Sequence, residues 1–203
     1  MATPEGYARN PELVINFYNE RRKQLLDVVP NAGHLGVADL ERDFNVTVVT
    51  QNVDNLHERA GSTHVIHLHG ELTKVCSSRD PYNPHFVKEL APEEYEVKLG
   101  DKAGDGTQLR PFIVWFGESV PEIETAIRYV EQADIFVIIG TSLNVYPAAG
   151  LLNYVPRAAE VYLIDPKPVD THVMRPIHVI QKGASEGVKE LKALLTATQP
   201  PLP

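Results

Sequence analysis

Three short apolar runs limit what this chain can fold into. Residues 46–50, 135–139 and 160–164 are rich in valine and isoleucine. Runs of that length and branching read as buried strands, and strands buried on both faces belong to parallel sheets. Helical spacing lies between and after them. Leu13, Phe17, Leu25 and Val28 mark one face of a helix over 12–28. Leu35, Ala38 and Leu40 mark one over 34–43, and Ile123, Ala126, Ile127 and Val130 one over 123–133. Further helices are expected at about 147–155 and over 185–195, with a short last strand at 178–181. Strands alternating with helices give an α/β fold, a doubly wound parallel sheet. Residues 1–11, punctuated by Pro4, Gly6 and Pro11, are expected to be an irregular lead-in, with Asn10 capping the first helix.

The first run is followed at once by polar side chains: Gln51, Asn52, Asp54 and Asn55. A second short segment, Val65-Ile66, leads into His67-Leu68-His69-Gly70. In open α/β sheets ligands bind beyond the carboxyl ends of the strands. Amides suit recognition of a carboxamide, and imidazole suits proton transfer near neutral pH. Spacing leaves plainer readings open. Asp54 or Asn55 can cap a short helix, Leu56–Ala60, stopped by Gly61. His67 and His69, two apart on extended chain, point the same way and would equally suit a pair of metal ligands in a hydrolase.

The 27 acidic and 19 basic residues give a formal charge of −8. That argues against generic binding to nucleic acid or an anionic membrane. Cys76 is the only cysteine. It has no partner for an internal disulfide, and a structural zinc site wants roughly four Cys or His ligands, so no zinc is expected and metal-binding residues are assigned to none. One cysteine fits a reducing cytoplasm. Residues 1–10 carry no apolar signal core, and no apolar run approaches the roughly 20 residues that span a bilayer.

Residues 71–110 read differently from the rest. Asp80-Pro81, Asn83-Pro84 and the glycines at 100, 104 and 106 break any regular pattern. This stretch is expected to be a small, loop-rich lobe, held only by packing or partly disordered and more mobile than the core. Residues 109–116 read as a strand, either in the core or presenting an edge to an extended peptide. The strand at 135–139 ends in Gly140-Thr141-Ser142, small residues that let backbone amides approach a phosphate or ribose. The strand at 160–164 ends in Asp165, and an acid there commonly meets a ribose hydroxyl. Tyr18 and Arg21, three apart, are neighbours on a helix surface, within a charged run that reads most simply as a solvated face.

TQNVDNLHERAG at 50–61, HLHGEL at 67–72, PFIVWFGE at 111–118, GTSLNVYPAAG at 140–150 and FYNERR at 17–22 together resemble the sirtuins, the NAD-dependent protein lysine deacylases. The resemblance covers nearly the whole chain. Tyr18 and Arg21 resemble the subclass that removes acidic acyl groups such as succinyl and malonyl. Arg holds a carboxylate bidentately and Tyr adds a neutral hydrogen bond. The resemblance implies a Rossmann-like NAD-binding core over 1–70 and 109–203, with a small lobe over 71–108 where the family carries a zinc ribbon. It implies that NAD is consumed: the acyl oxygen attacks the anomeric carbon, nicotinamide leaves, and the acyl group ends on ADP-ribose. His69 would be the general base, with Asn52 beside it. Asn52, Val53 and Asp54 would line the nicotinamide pocket, with Gln51 on the ribose side. Gly140, Thr141 and Ser142 would hold the ribose–phosphate region, and Asp165 and Ala184 would lie toward adenine. Val114, Phe116 and Gly117 would pair with the acyl-lysine peptide or protein.

Three features depart from the family. No GAGxS or GxGxxG motif occurs, so the chain matches the family only after its first strand and phosphate loop. The two CxxC pairs are absent, and Asp165 stands where the family more often has Asn. A sheet without that strand would expose unpaired backbone and apolar surface, so self-association through the sheet is expected. The rival readings are a catalytically silent interaction module and, further off, a metal hydrolase using His67 and His69.

Overall fold

The computed structural model describes residues 1–141, 148–168 and 175–197. Ser142 therefore lies outside the described residues. The chain forms two compact units, crossing between them after Val29, Val48, Asn55, Ile66 and Glu122. The first unit is Met1–Val29, Val49–Asn55 and His67–Glu122; the second is Pro30–Val48, Leu56–Ile66 and Ile123–Pro203. The cuts differ from those expected at 70/71 and 108/109. The first long helix and the strand at 109 pack with the lobe rather than with the parallel sheet.

The second unit is the parallel α/β part. Strands β6 (Ile135–Ile139), β7 (Glu160–Ile164) and β8 (His178–Ile180) pair in parallel in that order. Ile139, Ile164 and Ile180 lie in register, so the three carboxyl ends are level. Helices α3 (Ala32–Asp39), α4 (Leu56–Ala60), α5 (Ile123–Val130) and α6 (Ala184–Ala197) belong to this unit, and α3 packs against α6. Their Val37, Val188, Leu191 and Leu195 form one cluster with Tyr162, Ile164 and Ile180. Each such side chain removed from water contributes about 1.5–3 kcal/mol. A Cβ on Gly187 would stand 2.2 Å from Ile164 Cγ2, so only glycine lets α6 lie this close to the sheet. Arg175 donates to the carbonyls of Val155, Pro156 and Ala159 at 2.8–3.1 Å, and Lys192 pairs with Asp39. The stretch expected as a helix at 147–155 is a 3-10 helix over Ala148–Tyr154.

The first unit begins with a correction. Residues expected to be irregular form helix α1 (Pro4–Arg9), because Thr3 Oγ1 accepts the Gly6 amide and Pro4 sits in the first turn. Asn10 then caps α2 (Pro11–Asp27) through Leu13 N. The lobe holds an antiparallel sheet of β3 (Gly70–Ser77) between β4 (Lys88–Glu89) and β5 (Leu109–Ile113). The expected strand over 109–116 stops at Ile113, since Glu118 N closes a turn onto Trp115 O.

Packing is not all that holds the lobe, contrary to expectation. Ile15, Val75 and Val97 form a small apolar cluster, but buried polar groups cross-link it. Asn19 bonds both ways to Val97, giving its amide to the carbonyl at 2.7 Å and taking the N–H at 3.0 Å. Arg22, 3% exposed, donates to Leu72 O, Asn19 Oδ1 and Tyr95 O. Burial pushes its pKa down to about 10, so it stays charged at neutral pH. Ser77 Oγ donates to Asp105 and accepts the amides of Arg79 and Asp80. Cys76, on β3 opposite Arg110 of β5, is buried in the core, and that burial pushes its thiol up to about 12.

Candidate active site

Strand β1 (Val48–Thr50) pairs with β2 (Val65–His67). The loop after β1 is fixed by its own carbonyls. Thr50 O accepts Leu68 N at 3.0 Å, and Val53 O accepts Leu72 N at 2.7 Å. Between them Gln51 O meets His69 Nδ1 at 3.1 Å, and Asn52 O meets His67 Nδ1 at 3.3 Å. A carbonyl only accepts, so these contacts place the proton of each ring on Nδ1. In neutral His69 that makes Nε2 the lone-pair nitrogen, which is what a general base requires.

His67 and His69 do not lie together on extended chain. Leu68-His69 forms a turn after β2, and Gly70 follows at φ +82. A Cβ on Gly70 would stand 2.1 Å from Phe112 O, so the turn closes only with glycine there. Both Nδ1 atoms meet backbone carbonyls, so the loop after β1 orients the two imidazoles.

The same loop carries the amides. Asn52 is exposed, and Gln51, Val53 and Asp54 are half-buried. Asn55 Oδ1 is sealed from solvent with no hydrogen-bond partner among the described residues. An unspent buried acceptor costs about 1–3 kcal/mol, and the N–H of a carboxamide would relieve it. The loop thus gathers side-chain amides and a carboxylate of the kind that recognise a carboxamide.

His69 is tied to the expected peptide-binding segment. Its carbonyl accepts Val114 N at 2.9 Å. Phe116 is 77% exposed, and Gly117 takes φ +91 at an open position. Behind this segment Arg110 grips Glu118 at 2.7 and 3.0 Å, and Glu118 Oε2 accepts Trp115 N at 2.8 Å. Burial works against the Glu118 carboxylate, but the Arg110 and Trp115 N–H groups outweigh it and hold its pKa below the usual range.

Tyr18 and Arg21 do not behave as a solvated pair. Tyr18 is 6% exposed, and its hydroxyl accepts from Trp115 Nε1 at 3.1 Å. Burial raises the phenol's pKa, and the nearby Arg21 charge partly opposes this. Arg21 is exposed, with its guanidinium 5.2 Å from the Phe17 ring centroid. Nothing in the sequence marks Arg110, and Trp115 and Glu118 stand out only as members of the 111–118 motif. A lone tryptophan beside the Phe-Gly-Glu turn was the available signal.

The residues expected toward adenosine belong to the second unit. Gly140, Asp165 and Gln181 directly follow the three aligned strand ends. Gly140 has φ +60 with open space where a Cβ would be, and its amide donates to Ile164 O. Asp165 Oδ1 caps a turn through Lys167 N at 2.8 Å, leaving its second oxygen for a hydroxyl. Thr141 is half-buried. Ala184, the first residue of α6, packs near Gly33.

Comparison with known proteins adds four findings. The model of the Sir2 family matches residues 1–147. An NAD-dependent protein deacylase of Bacteroides thetaiotaomicron is 83% identical over 195 residues, covering 96% of this chain and 83% of that protein. Among solved structures, a Sir2 homologue in complex with NAD superposes with a TM-score of 0.81 at 36% identity, over 98% of this chain and 77% of that one. A Sir2 bound to an acetylated peptide gives 0.77 at 26%, over 96% and 82%.

Proposed function

The chain belongs to the Sir2 family and is an NAD-dependent protein deacylase; we propose that it acts on lysines whose acyl group ends in a carboxylate as well as on acetyl-lysine. NAD as co-substrate supplies a glycosidic bond whose cleavage releases nicotinamide and opens the ribose to the acyl group. His69 Nε2, aimed by the Nδ1 bond to Gln51, takes the proton of a ribose hydroxyl. Asn52, Val53, Asp54 and the unspent Asn55 oxygen hold the nicotinamide end, and Gln51 the neighbouring ribose. Gly140, Thr141, Asp165 and Ala184 are assigned to the adenosine side, as is Ser142. Val114, Phe116 and Gly117 receive the peptide backbone.

The observation that carries the acidic-acyl reading is the state of Tyr18 and Arg21. Among the described residues no carboxylate pairs with the exposed Arg21 guanidinium, and its neighbour is a protonated phenol. A guanidinium–carboxylate bond contributes about 1.5–3 kcal/mol, roughly ten- to a hundredfold in affinity. Arg21→Met should therefore lower kcat/KM for a succinyl- or malonyl-lysine peptide at least tenfold more than for the acetyl peptide. Equal losses on all three would remove the acidic-acyl reading.

No helix among the described residues is long and apolar enough to cross a membrane. The net acidic charge and the single cysteine support work in the cytoplasm, away from nucleic acid. Among the described residues β6 is an edge strand, with Ile135, Phe136, Val137 and Ile139 only half-buried, and self-association is assigned there. Light scattering giving a single-chain mass at working concentration would remove that assignment.

A further inference from the structure

Trp115 and Tyr18 stand 97 residues apart in sequence and meet in a buried hydrogen bond of 3.1 Å. Its direction is fixed by chemistry. The indole N–H only donates, so the phenol oxygen must accept. A phenol has one proton of its own, and this contact does not use it. Among the described residues no acceptor takes that proton. Burial favours the neutral phenol, so the proton is retained at working pH.

The indole is held on several sides. The Arg110 guanidinium lies 3.6 Å from its ring centroid, and the Tyr7 ring packs at 5.2 Å. Glu118 fixes both the backbone N–H of Trp115 and the guanidinium above it. A cation over the ring draws electron density from the indole and strengthens its N–H as a donor.

We propose that Trp115 is a specificity-determining positioning residue: by occupying the acceptor side of Tyr18 it makes the phenol a donor, presented with Arg21 to the terminal carboxylate of an acidic acyl-lysine. The proposal rests on the acidic-acyl reading above. A carboxylate has only acceptor oxygens, so a phenol turned to accept would repel it, whereas one forced to donate bonds it. A neutral acetyl group has no carboxylate for this donor. Trp115 touches no reacting atom and acts through Tyr18.

The test compares kcat/KM for matched succinyl- and acetyl-lysine peptides in Trp115→Phe, Tyr18→Phe, the double variant and Arg21→Met. Trp115→Phe keeps a ring between Arg110 and Tyr7 but deletes the N–H. It should lower the succinyl-to-acetyl ratio about tenfold, chiefly through KM for the succinyl peptide. In the Tyr18→Phe background the same substitution should not change the ratio further. Equal losses on both peptides, or a ratio change that persists without the Tyr18 hydroxyl, would overturn the proposal. If Arg21→Met shifts the ratio and Trp115→Phe does not, the acidic-acyl reading stands and the role of Trp115 falls. If Arg21→Met leaves the ratio alone, the reading beneath falls, and the proposal with it. A second measurement needs no Trp115 variant. Trp115 is the only tryptophan, so its indole N–H gives a single, assignable NMR resonance. Succinyl-lysine peptide should shift it more than acetyl-lysine peptide does, and Tyr18→Phe should abolish that difference. An indole resonance that answers both peptides alike would overturn the proposal.

Discussion

The two compact units are stabilised in different ways. The parallel-sheet unit closes around Tyr162, Ile164, Ile180, Val188, Leu191 and Leu195, an apolar cluster drawn from strands and two helices. The other unit has the smaller apolar cluster of Ile15, Val75 and Val97 and relies on polar cross-links. Of six buried polar or charged side chains among the described residues, five (Asn19, Arg22, Thr50, Ser77 and Arg110) lie in it and only Ser62 in its neighbour. Apolar packing tolerates some repacking, but a buried donor or acceptor needs its particular partner. The unit that holds His69, Tyr18 and Arg21 is therefore the one specified by named pairs.

Substitutions can break that contrast. The largest effect is expected from Gly70→Ala, which meets both a positive φ and the Phe112 carbonyl. It should cost more than about 3 kcal/mol and leave the first unit without a cooperative denaturant transition. Arg22→Met and Leu191→Ala form the sharper pair. Arg22→Met leaves Leu72 O, Tyr95 O and Asn19 Oδ1 without its N–H groups and should cost about 2–4 kcal/mol. Leu191→Ala opens a cavity beneath α6 and should cost about 2–5 kcal/mol. Hydrogen exchange should show the first loosening β3 and the second loosening β7 and α6. Uniform loosening by both would erase the distinction between the units.

The smallest effect concerns acid. The Ser77 and Thr107 hydroxyls hold the Asp105 carboxyl down to about 2. An unfolded aspartate titrates at about 3.9, so the depressed group adds stability above that pH and loses it as pH falls through about 2. Asp105→Asn should flatten the loss of stability between about pH 4 and 2, followed through Trp115 fluorescence. An unchanged acid profile would show that this turn does not help hold the lobe.

The same contrast explains what the sequence revealed. The strands at 135–139 and 160–164 and the helix α6 stand where apolar periodicity put them, because strand and helix patterns are local and their core is apolar. Helix α1 went unread because its signal is a cap, Thr3 and Pro4, without an apolar face. The order of the lobe went unread because its bonds join Asn19 to Val97 and Arg22 to Tyr95 across more than 70 residues, and such pairs leave no local pattern. His69 stood out by its neighbours, but its Nδ1 bond depends on a turn that Gly70 makes possible. Tyr18 drew attention by its spacing from Arg21, and nothing local pointed to its bond with Trp115.

The most direct measurement follows deacylated peptide formed from an acyl-lysine peptide and NAD, in the chain and in His69→Ala. Loss of the Nε2 base should lower turnover about a thousandfold or more while the peptide still perturbs the Trp115 indole. Turnover in His69→Ala within a few-fold of the unaltered chain would show that this imidazole is not the base, and the assignment of the site would fail.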